Sequence, residues 1–453
     1  MSRRRALWLL LPAPGVLLLA LFMARIISAA QAYLFGYPLV IMDLTRASAA
    51  LQLGPENALF RARQFAQPSD HLVVRPNLDT LYTFAFIDMA RGPWVFEMGV
   101  NQRRYELMPF MDGWTNVFAA PGTRQDGGRG ARYLLAGARW QGTVPAGMTL
   151  LRAPTRIVWL IGRTQANGVA DYPLVHRLQD GLTLRSLADA GAGRNTTPVW
   201  QRGATTAPAA QMQAMSTLAF FSRLAALLPD NPPVAGDAPM VAQLATLGVV
   251  AGRAPHWNWI EQGCVALGRH LADWQAQRQL RQPRALVRGW STPPSILGNY
   301  GREYALRAAV AMAGLGANLP ADAMYPYARV DGDGRALDGS TRYRLHFEAG
   351  ALPPVRAFWS VTAYGADDFL LDIPGARHAI GDRDPLNFNP DGSLDLLVQA
   401  RAPADARERS NWLPVRAGRF FILNARLYWP KPEALDGRWG MPAIERLDQG
   451  AHK

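Results

Sequence analysis

The sequence is poor in cysteine, in lysine and in charge. Its one cysteine, Cys264, excludes an internal disulfide, so the fold depends on hydrophobic cores that are stable without crosslinks. Charged residues make up 18% of the chain and hydrophobic residues 49%, a balance that excludes global disorder. Because 453 residues exceed what one core usually supports, we expect two or three domains.

Several catalytic signatures are also missing. The chain contains no His-Glu-x-x-His, no Cys-x-x-Cys, no Gly-x-Ser-x-Gly, no Walker loop and no Gly-x-Gly-x-x-Gly after a strand. Their absence argues against zinc peptidases, lipases with a nucleophile elbow, nucleotide hydrolases and Rossmann dehydrogenases. No metal site is assigned from the sequence, and the cofactor is unknown. A pair of carboxylates for glycoside hydrolysis stays open, because such a pair leaves no spacing to recognise.

The net charge of +13 comes almost entirely from arginine. The arginines are scattered along the chain and do not form one stripe, and no nucleic-acid-binding motif accompanies them. We therefore predict no nucleic-acid partner. Attraction to an anionic lipid or polysaccharide stays open.

The amino terminus contains a long apolar run without charge. Three arginines at 3–5 precede residues 6–24, which carry no charged side chain. Residues 1–32 are therefore predicted to be a signal peptide or an N-terminal membrane anchor. Cleavage near Ala30 or Ala32, which we slightly favour, gives a protein of the periplasm. Retention gives an inner-membrane protein with a periplasmic domain.

Turn-forming residues divide the rest of the chain into three regions. Apolar and aromatic runs of strand length dominate residues 33–188 and predict a β-sandwich domain. Residues 189–324 are predicted to be a linker and a helical segment, because apolar residues recur there every three or four positions. Strand patterns dominate residues 325–453 and predict a second β domain. No internal repeat is detected.

Several long segments occur in a characteristic order. They include VVRPNLDTLYTFAFIDM from Val73, RRYELMPFMDGWTNVF from Arg103 and the run Leu427–Pro432 near the end. In this order the chain resembles the bacterial two-domain family that has domain of unknown function 1254 followed by domain of unknown function 1214. The resemblance implies a mixed, mainly β fold with an Ig-like β-sandwich, a central helical segment and a jelly-roll-like domain that begins near 300 or 325. It implies no catalytic residue.

The first candidate ligand site begins at Arg75. On an extended backbone successive side chains alternate, so Arg75, Asn77 and Asp79 share one face. A cation, an amide and a carboxylate on one face can bind a polar ligand such as a sugar, or a calcium ion through Asp79. The alternative, which we favour, is a buried polar network in which Asp79 pairs with Arg75 and Asn77 caps loop backbone.

The second candidate site is the segment from Asp112 to Asn116. On an extended backbone Asp112, Trp114 and Asn116 share one face, and an aromatic ring between an acceptor and an amide suits a sugar. The favoured alternative is a turn at Asp112 with Trp114 in the core. If this cluster and the Asp79 cluster converge in space, the ligand hypothesis gains weight.

A weaker candidate lies in the last domain, where His378 is close in sequence to Asp382 and Asp384. Two arginines, Arg377 and Arg383, flank these groups, and here a titrating base has two acids near it. Acid-base chemistry is one interpretation of this loop. The favoured alternative is a solvated loop with local ion pairs.

Three functional hypotheses follow. The first, which we favour, is an exported envelope protein that binds a carbohydrate or a lipid-like, amphiphilic ligand. The second is an envelope hydrolase or lyase that uses carboxylate acid-base chemistry, with a carboxylate such as Asp79 as the base. The third is a structural envelope protein that assembles with copies of itself as a homo-oligomer.

Overall fold

The computed structural model describes residues 14–69, 74–101, 103–189, 206–281, 286–373 and 375–447. About 32% of the chain is helix and 26% is strand, in a mixed fold with several antiparallel sheets. The first thirteen residues of the predicted signal or anchor and most of the predicted linker, residues 190–205, lie outside the described part.

Residues 60–186 form a first sandwich of two sheets. One sheet has six strands in the order β1-β2-β9-β5-β6, with β4 also paired to β9, and the other has the order β10-β3-β7-β8. Alternate side chains such as Ile87 and Phe96 fill the space between the sheets. The strands are β1 Phe60–Arg61, β2 Thr80–Asp88, β3 Trp94–Met98, β4 Glu106–Leu107, β5 Phe110–Asp112, β6 Val117–Ala119, β7 Ala131–Gly137, β8 Thr149–Ala153, β9 Ile157–Gln165 and β10 Thr183–Ser186.

A second sandwich follows near the carboxyl terminus. Its six-stranded sheet has the order β11-β13-β19-β15-β16, with β12 also on β19, and its four-stranded sheet has the order β18-β17-β14-β20. Residues such as Leu345 and Val361 form its core. The strands are β11 Trp290–Ser291, β12 Ala323–Met324, β13 Tyr327–Ala328, β14 Arg342–Phe347, β15 Val355–Gly365, β16 Ala379–Gly381, β17 Leu394–Gln399, β18 Trp412–Pro414, β19 Phe421–Pro430 and β20 Ile444–Leu447.

The two sandwiches share the topology of their main strands. In the first, β2, β3, β5–β6, β7–β8, β9 and β10 alternate between the six-stranded and the four-stranded sheet. In the second, β13, β14, β15–β16, β17–β18, β19 and β20 alternate in the same order. Each four-stranded sheet also has one parallel pair, β7 with β8 and β17 with β18. The chain therefore contains a structural repeat that its sequence does not reveal, whereas the Ig-like and jelly-roll topologies stay predictions.

Helices form a third unit beside the sandwiches. Helix α1 packs along α7 and α8, and α4, α5 and α6 complete the unit around it. Two boundaries differ from the predicted ones. Residues 33–52 belong to α1 and not to the first sandwich, and the second sandwich already includes β11, which lies before residue 325. The helices are α1 Pro14–Gln52, α2 Thr123–Asp126, α3 Tyr172–Asp180, α4 Pro208–Ala214, α5 Thr217–Leu227, α6 Ala238–Thr246, α7 Trp259–Arg281, α8 Tyr304–Gly314, α9 Ala406–Ser410 and α10 Pro432–Leu435.

Helix α1 has two halves in opposite environments. Most side chains from Val16 to Ile27 are exposed, whereas those from Ala29 to Leu44 are mostly buried in the helical unit. Within the described residues, Gly15–Gln52 is the stretch that is long and apolar enough to cross a membrane. The predicted cleavage sites at Ala30 and Ala32 are buried inside this unbroken helix. One helix thus joins a candidate membrane segment to a folded core.

The sandwiches pack against each other through the outer faces of their six-stranded sheets. Tyr105 from the first sandwich contacts the rings of Phe358 and Tyr428 from the second, with ring centroids 5.7 and 5.6 Å apart. The Tyr105 hydroxyl donates a hydrogen bond of 2.9 Å to the carbonyl of Asp322. This shared core fixes the two sheets face to face and encloses the polar residues beside it.

Candidate functional site between the two sandwiches

The first predicted cluster does not form one extended face. Arg75 has a φ of 47°, so the chain turns before it enters β2. The Oδ1 atom of Asn77 accepts hydrogen bonds from the backbone N–H groups of Asp79 and Thr80, at 3.0 and 2.7 Å. Asn77 therefore caps loop backbone, as the favoured alternative predicts, and the three side chains point to different partners because the backbone is not a strand.

Asp79 lies between the sandwiches, where its side chain is fully buried. Its carboxylate accepts a hydrogen bond of 2.8 Å from the Ser360 hydroxyl and forms an ion pair with Arg383, both from the second sandwich. The predicted pair of Asp79 with Arg75 is wrong. Arg75 instead pairs with Asp368 at 2.7 Å, because its left-handed backbone turns the side chain away from Asp79.

A buried arginine comes from the centre of the six-stranded sheet in the second sandwich. Arg426 on β19 is 3% exposed, and it donates to the Thr362 hydroxyl at 3.0 Å, the Arg75 carbonyl at 2.8 Å and the Tyr364 hydroxyl at 2.6 Å. Tyr364 in turn donates to the carbonyl of Pro76 at 2.7 Å. Every hydrogen bond that Arg426 makes in the described part of the chain thus goes to a neutral oxygen.

Arg163 on β9 is its counterpart in the first sandwich. It is 6% exposed and donates to the carbonyl of Ile161 at 2.9 Å and to Oδ1 of Asn318 at 2.8 Å, again neutral acceptors. Its guanidinium lies 5.4 Å from the ring centroid of Tyr82. Since β9 and β19 are equivalent strands of the repeat, the two sandwiches bring one buried arginine each to their interface.

Both arginines interact electrostatically with Tyr428, which is fully buried. Burial raises the pKa of Tyr428 well above its usual range, so the hydroxyl stays protonated. Within the described residues this hydroxyl has no hydrogen-bond partner, and the same holds for Nδ2 of Asn77 and Nε of Arg383. We call this group the interdomain cluster; it comprises Asn77, Asp79, Tyr82, Arg163, Ser360, Thr362, Tyr364, Arg383, Arg426 and Tyr428.

The Asp112 cluster forms a closed turn and not a ligand face. Oδ1 of Asp112 accepts from the backbone N–H groups of Trp114 and Asn116, both at 2.9 Å. Trp114 is 2% exposed and contacts the Phe35 ring of α1, with the centroids 4.7 Å apart. Burial raises the pKa of Asp112 to about 6. The tryptophan is therefore a core residue that joins the first sandwich to the helical unit.

The two predicted clusters do not converge. Along β9, Thr80 pairs with Gln165 and Asp112 pairs with Val158. The seven residue steps along β9 from Val158 to Gln165 correspond to roughly 23 Å. The Asp79 and Asp112 clusters therefore lie at opposite ends of one sheet.

The loop of the weaker candidate contributes to the interdomain cluster through a residue between its two acids. Arg383 reaches Asp79, while Asp382 accepts a hydrogen bond of 3.2 Å from the backbone N–H of Trp359. Asp384 accepts one of 2.8 Å from the N–H of Gly381. Burial raises the pKa of Asp382 to about 6 and lowers the pKa of His378. The loop is thus partly buried and holds the two sandwiches together.

The sequence-based search missed Arg163, Arg426 and Tyr428. Each stands inside a strand that is otherwise almost continuously apolar, IVWLIGRTQ for β9 and FILNARLYWP for β19. An arginine in such a strand is a usable signal, because an arginine is rarely buried without a specific partner. Among the described residues, no group of three or more histidine, cysteine or acidic side chains is placed to hold a metal ion. Arginine, tyrosine and amide donors suit an anion instead.

Comparison with known families matches both sandwiches. Residues 57–186 match the family described as "Protein of unknown function (DUF1254)", and residues 322–432 match the one described as "Protein of unknown function (DUF1214)". The chain therefore belongs to the family in which these two domains follow each other in this order, as its sequence predicts.

A solved structure supports the fold. The crystal structure of the VPA0106 protein from Vibrio parahaemolyticus is 23% identical, has a TM-score of 0.71, and the match covers 93% of this chain and 100% of that chain. An uncharacterised protein from Burkholderia cenocepacia is 15% identical with a TM-score of 0.46, over 95% of this chain and 96% of that chain. No curated protein matches the chain. At these identities the first likeness concerns the fold alone.

Proposed function

We propose that the protein is an envelope protein, anchored in the inner membrane by α1, that binds a small hydroxylated acid in the interdomain cluster. The observation that carries the proposal is the pair of buried arginines, Arg163 and Arg426, whose hydrogen bonds go to neutral oxygens. Each arginine interacts electrostatically with one carboxylate, Arg426 with Asp79 and Arg163 with Asp322, but these carboxylates are already paired with Arg383 and Arg124. The positive charge of the two buried guanidinium groups is therefore only partly balanced, which is unfavourable in a buried site. An anionic ligand between the sandwiches balances the remaining positive charge.

The groups of the cluster that have no hydrogen-bond partner among the described residues support the same class of ligand. Nδ2 of Asn77, Nε of Arg383 and the hydroxyl of Tyr428 are donors, so they require acceptors. A carboxylate satisfies the guanidinium groups, and hydroxyl oxygens satisfy the amide and the phenol. An acidic sugar has both a carboxylate and hydroxyl groups. The carbohydrate hypothesis therefore becomes the more specific proposal of an acidic sugar. The Arg383 side chain is 19% exposed and lies where the cluster reaches solvent.

The proposed location follows from α1. Its exposed apolar half continues the charge-free run of residues 6–24, and three arginines precede that run. Positive charge stays on the cytoplasmic side, which puts the folded part on the periplasmic side. Retention is preferred over cleavage here, because Ala29, Ala30 and Ala32 are packed in the core of the helical unit.

The test is thermal unfolding of the full chain in detergent, with galacturonate, glucuronate and succinate compared with neutral galactose at equal ionic strength. A ligand at one hundred times its Kd raises the free energy of unfolding by about 2.7 kcal/mol. We expect at least one acid to raise the melting temperature and galactose to leave it unchanged. No shift with any acid, or an equal shift with galactose, contradicts the proposal.

The Tyr428→Phe variant separates binding from folding. It removes a hydroxyl that has no partner among the described residues, so the ligand-free stability stays equal or rises, while the response to the acid weakens. Tyr133→Phe is the matched control, since Tyr133 is buried in the first sandwich outside the cluster. If both variants respond like the unmodified chain, Tyr428 does not contact the ligand.

One observation favours the acid-base alternative. Asp382 lies close enough to Asp79 for their charges to interact, and its pKa is raised to about 6, a value suited to proton transfer near neutral pH. Asp79 itself is held by Ser360 and Arg383. The acid that binds best in the thermal screen should therefore also be incubated with the chain and analysed for products. Turnover that is lost in Asp382→Asn while binding remains would favour a hydrolase or lyase.

A further inference from the structure

A polar cleft lies in the helical unit and shares no lining residue with the interdomain cluster. It has a volume of about 430 Å3 and opens between α1, α7 and the residues that precede α8. Leu34 of α1 and Trp274 of α7 supply apolar surface, and Trp274 is 56% exposed. Arg278 and Arg302 supply two cations on its rim. The cleft thus offers apolar and cationic surface side by side.

The two arginines are available to an anion. Arg278 lies over the Trp274 ring at 5.3 Å, and Arg302 donates to the carbonyl of Gly236 at 3.0 Å. Neither contact neutralises a positive charge. Glu303 also lines the cleft, and its negative charge disfavours a ligand with several phosphates. The charges therefore suit a single phosphate group that carries a neutral hydroxylated substituent.

The parallel packing of α7 and α1 gives the height of this cleft above the proposed membrane surface. Helix α7 runs parallel to α1, since Glu261 pairs with Arg25 at 2.9 Å and Arg269 lies over the Tyr33 ring at 5.4 Å. The helices touch at Gly268, where an added Cβ atom would lie 2.6 Å from the Cβ of Ala29. Arg25 is the first charged residue after the apolar run, and it marks the end of the membrane segment.

Exposed apolar side chains continue from that level toward the cleft. Trp259 at the start of α7 is 81% exposed and Ile260 is 39% exposed, beside the pair of Glu261 with Arg25. Tryptophan is enriched where a protein meets the lipid headgroups. Leu267 is 56% exposed two turns further along α7. Gln31 of the cleft is six residues beyond Arg25, a rise of roughly 9 Å along α1, and Arg278 is seventeen residues beyond Glu261, a rise of roughly 26 Å along α7. A lipid that reaches Arg278 is therefore lifted out of the bilayer along the exposed apolar side chains.

We propose that this cleft binds the headgroup of an anionic phospholipid of the phosphatidylglycerol type, drawn from the membrane that holds α1. Arg278 and Arg302 contact the phosphate, and Trp274 and Leu34 contact the glycerol backbone and the upper acyl chain. This inference rests on the anchoring of α1 in the proposed function and not on the interdomain cluster.

The experiment uses the full chain in a neutral detergent and measures binding by calorimetry. Three probes are compared: dihexanoyl phosphatidylglycerol, dihexanoyl phosphatidylcholine and glycerol 3-phosphate. We expect the phosphatidylglycerol to bind most tightly, because it alone has the net charge and the acyl chains together. The double variant Arg278→Gln/Arg302→Gln should weaken its binding roughly tenfold or more, through the loss of two charge-assisted contacts.

A charge-matched control is available in the first sandwich. Arg103 and Arg177 line a separate cleft of about 380 Å3, so Arg103→Gln/Arg177→Gln removes the same charge elsewhere. An equal loss of affinity for phosphatidylglycerol in both double variants would show that only the net charge of the protein matters, and it would overturn the proposal. Should the first double variant not fold, Trp274→Leu, which changes an exposed side chain, is expected to weaken phosphatidylglycerol and spare glycerol 3-phosphate.

Two further outcomes overturn the inference. Equal affinity for the two lipids shows that the charge is not recognised, and equal affinity for glycerol 3-phosphate shows that the ligand is a free phosphate and not a lipid. Flotation of the full chain with phosphatidylcholine vesicles separates this failure from that of the proposed function. A chain that floats without lipid preference contradicts the cleft alone, whereas a chain that does not float contradicts the anchor as well.

Discussion

Two turns in the first sandwich, at Asn77 and at Asp112, are built alike and end in different surroundings. In each, one side-chain oxygen accepts a hydrogen bond from the backbone N–H group two residues later. At the second turn both carboxylate oxygens of Asp112 accept hydrogen bonds from within the turn, from Trp114 and Asn116. At the first turn the neutral side chain of Asn77 accepts the hydrogen bonds of the turn. The carboxylate of Asp79 is therefore available to residues of the second sandwich.

The difference shows how a short polar motif becomes an interdomain contact. Asp79 binds Ser360 and Arg383, about 300 residues away in the chain, as the sequence separations of 281 and 304 show. The amide of Asn77 closes the turn, so the carboxylate of Asp79 is not needed for it. The second sandwich supplies the partners of that carboxylate, Ser360 and Arg383. The Asp112 turn has no second carboxylate that can reach another domain. Its contact with the helical unit is instead the packing of Trp114 against α1.

The largest expected effect is the loss of Asp79. Asp79→Ala leaves Arg383 with only its longer contact of 3.9 Å to Asp382 and Ser360 without its acceptor, so we expect the free energy of unfolding to fall by about 3 to 5 kcal/mol. Urea denaturation of the full chain in detergent measures this loss. Asp112→Ala, which breaks only hydrogen bonds within one turn, should cost about 1 to 3 kcal/mol. Equal losses would refute the contrast between the two turns.

The next effect is a pH dependence that belongs to the Asp112 turn. Burial raises the pKa of Asp112 from 3.8 to about 6, so its stabilising contribution is complete below the lower value and is lost as the pH rises through the higher one. This loss amounts to up to about 3 kcal/mol between pH 4 and pH 7. Asp112→Asn keeps the Oδ1 acceptor and removes the titration, so its stability relative to the unmodified chain should rise across that window.

The difference between the two denaturation curves isolates Asp112. Glu106 and Asp382, whose pKa values burial raises to about 7 and about 6, titrate in both proteins and cancel. A difference that stays constant from pH 4 to pH 7 would show that the carboxyl of Asp112 has an ordinary pKa in the folded chain.

The smallest expected effect concerns Thr115, in the Asp112 turn. Thr115 has a φ of 71°, and its buried hydroxyl has no hydrogen-bond partner among the described residues. Thr115→Gly removes the strain and the unpaired hydroxyl but increases the freedom of the unfolded chain, so we expect a gain of about 1 kcal/mol in thermal unfolding. The response to acidic ligands should stay unchanged, in contrast to Tyr428→Phe. A lost response would place the ligand near the Asp112 turn.

Much of the local structure could be predicted from the sequence. Alternating apolar and aromatic residues indicate strands near Leu81, Pro93, Ala131 and Thr155, and β2, β3, β7 and β9 form there. The order of the two domains of unknown function is confirmed. The repeat of the strand topology escapes sequence comparison, because the two sandwiches share a strand order while their core side chains differ.

The candidate site was less predictable for a related reason. Alternation assumes an extended backbone, and at Arg75 the chain adopts a left-handed conformation that alternation does not anticipate. Arg163 and Arg426 were missed, because each is one polar residue in an apolar strand and its partners come from distant segments. The loop of His378 was predicted as a separate site, whereas its Arg383 joins the Asp79 cluster.

By itself the sequence determined the elements and their order: a charge-free apolar helix, two β regions and a helical region between them. These follow from hydrophobic periodicity and turn residues, which act over a few positions along the chain. Only the tertiary structure decided that Asp79 meets Arg383, that one arginine from each sandwich is buried at their interface, and that Trp114 is a core residue. Such contacts depend on the face-to-face packing of two sheets, which local periodicity does not encode.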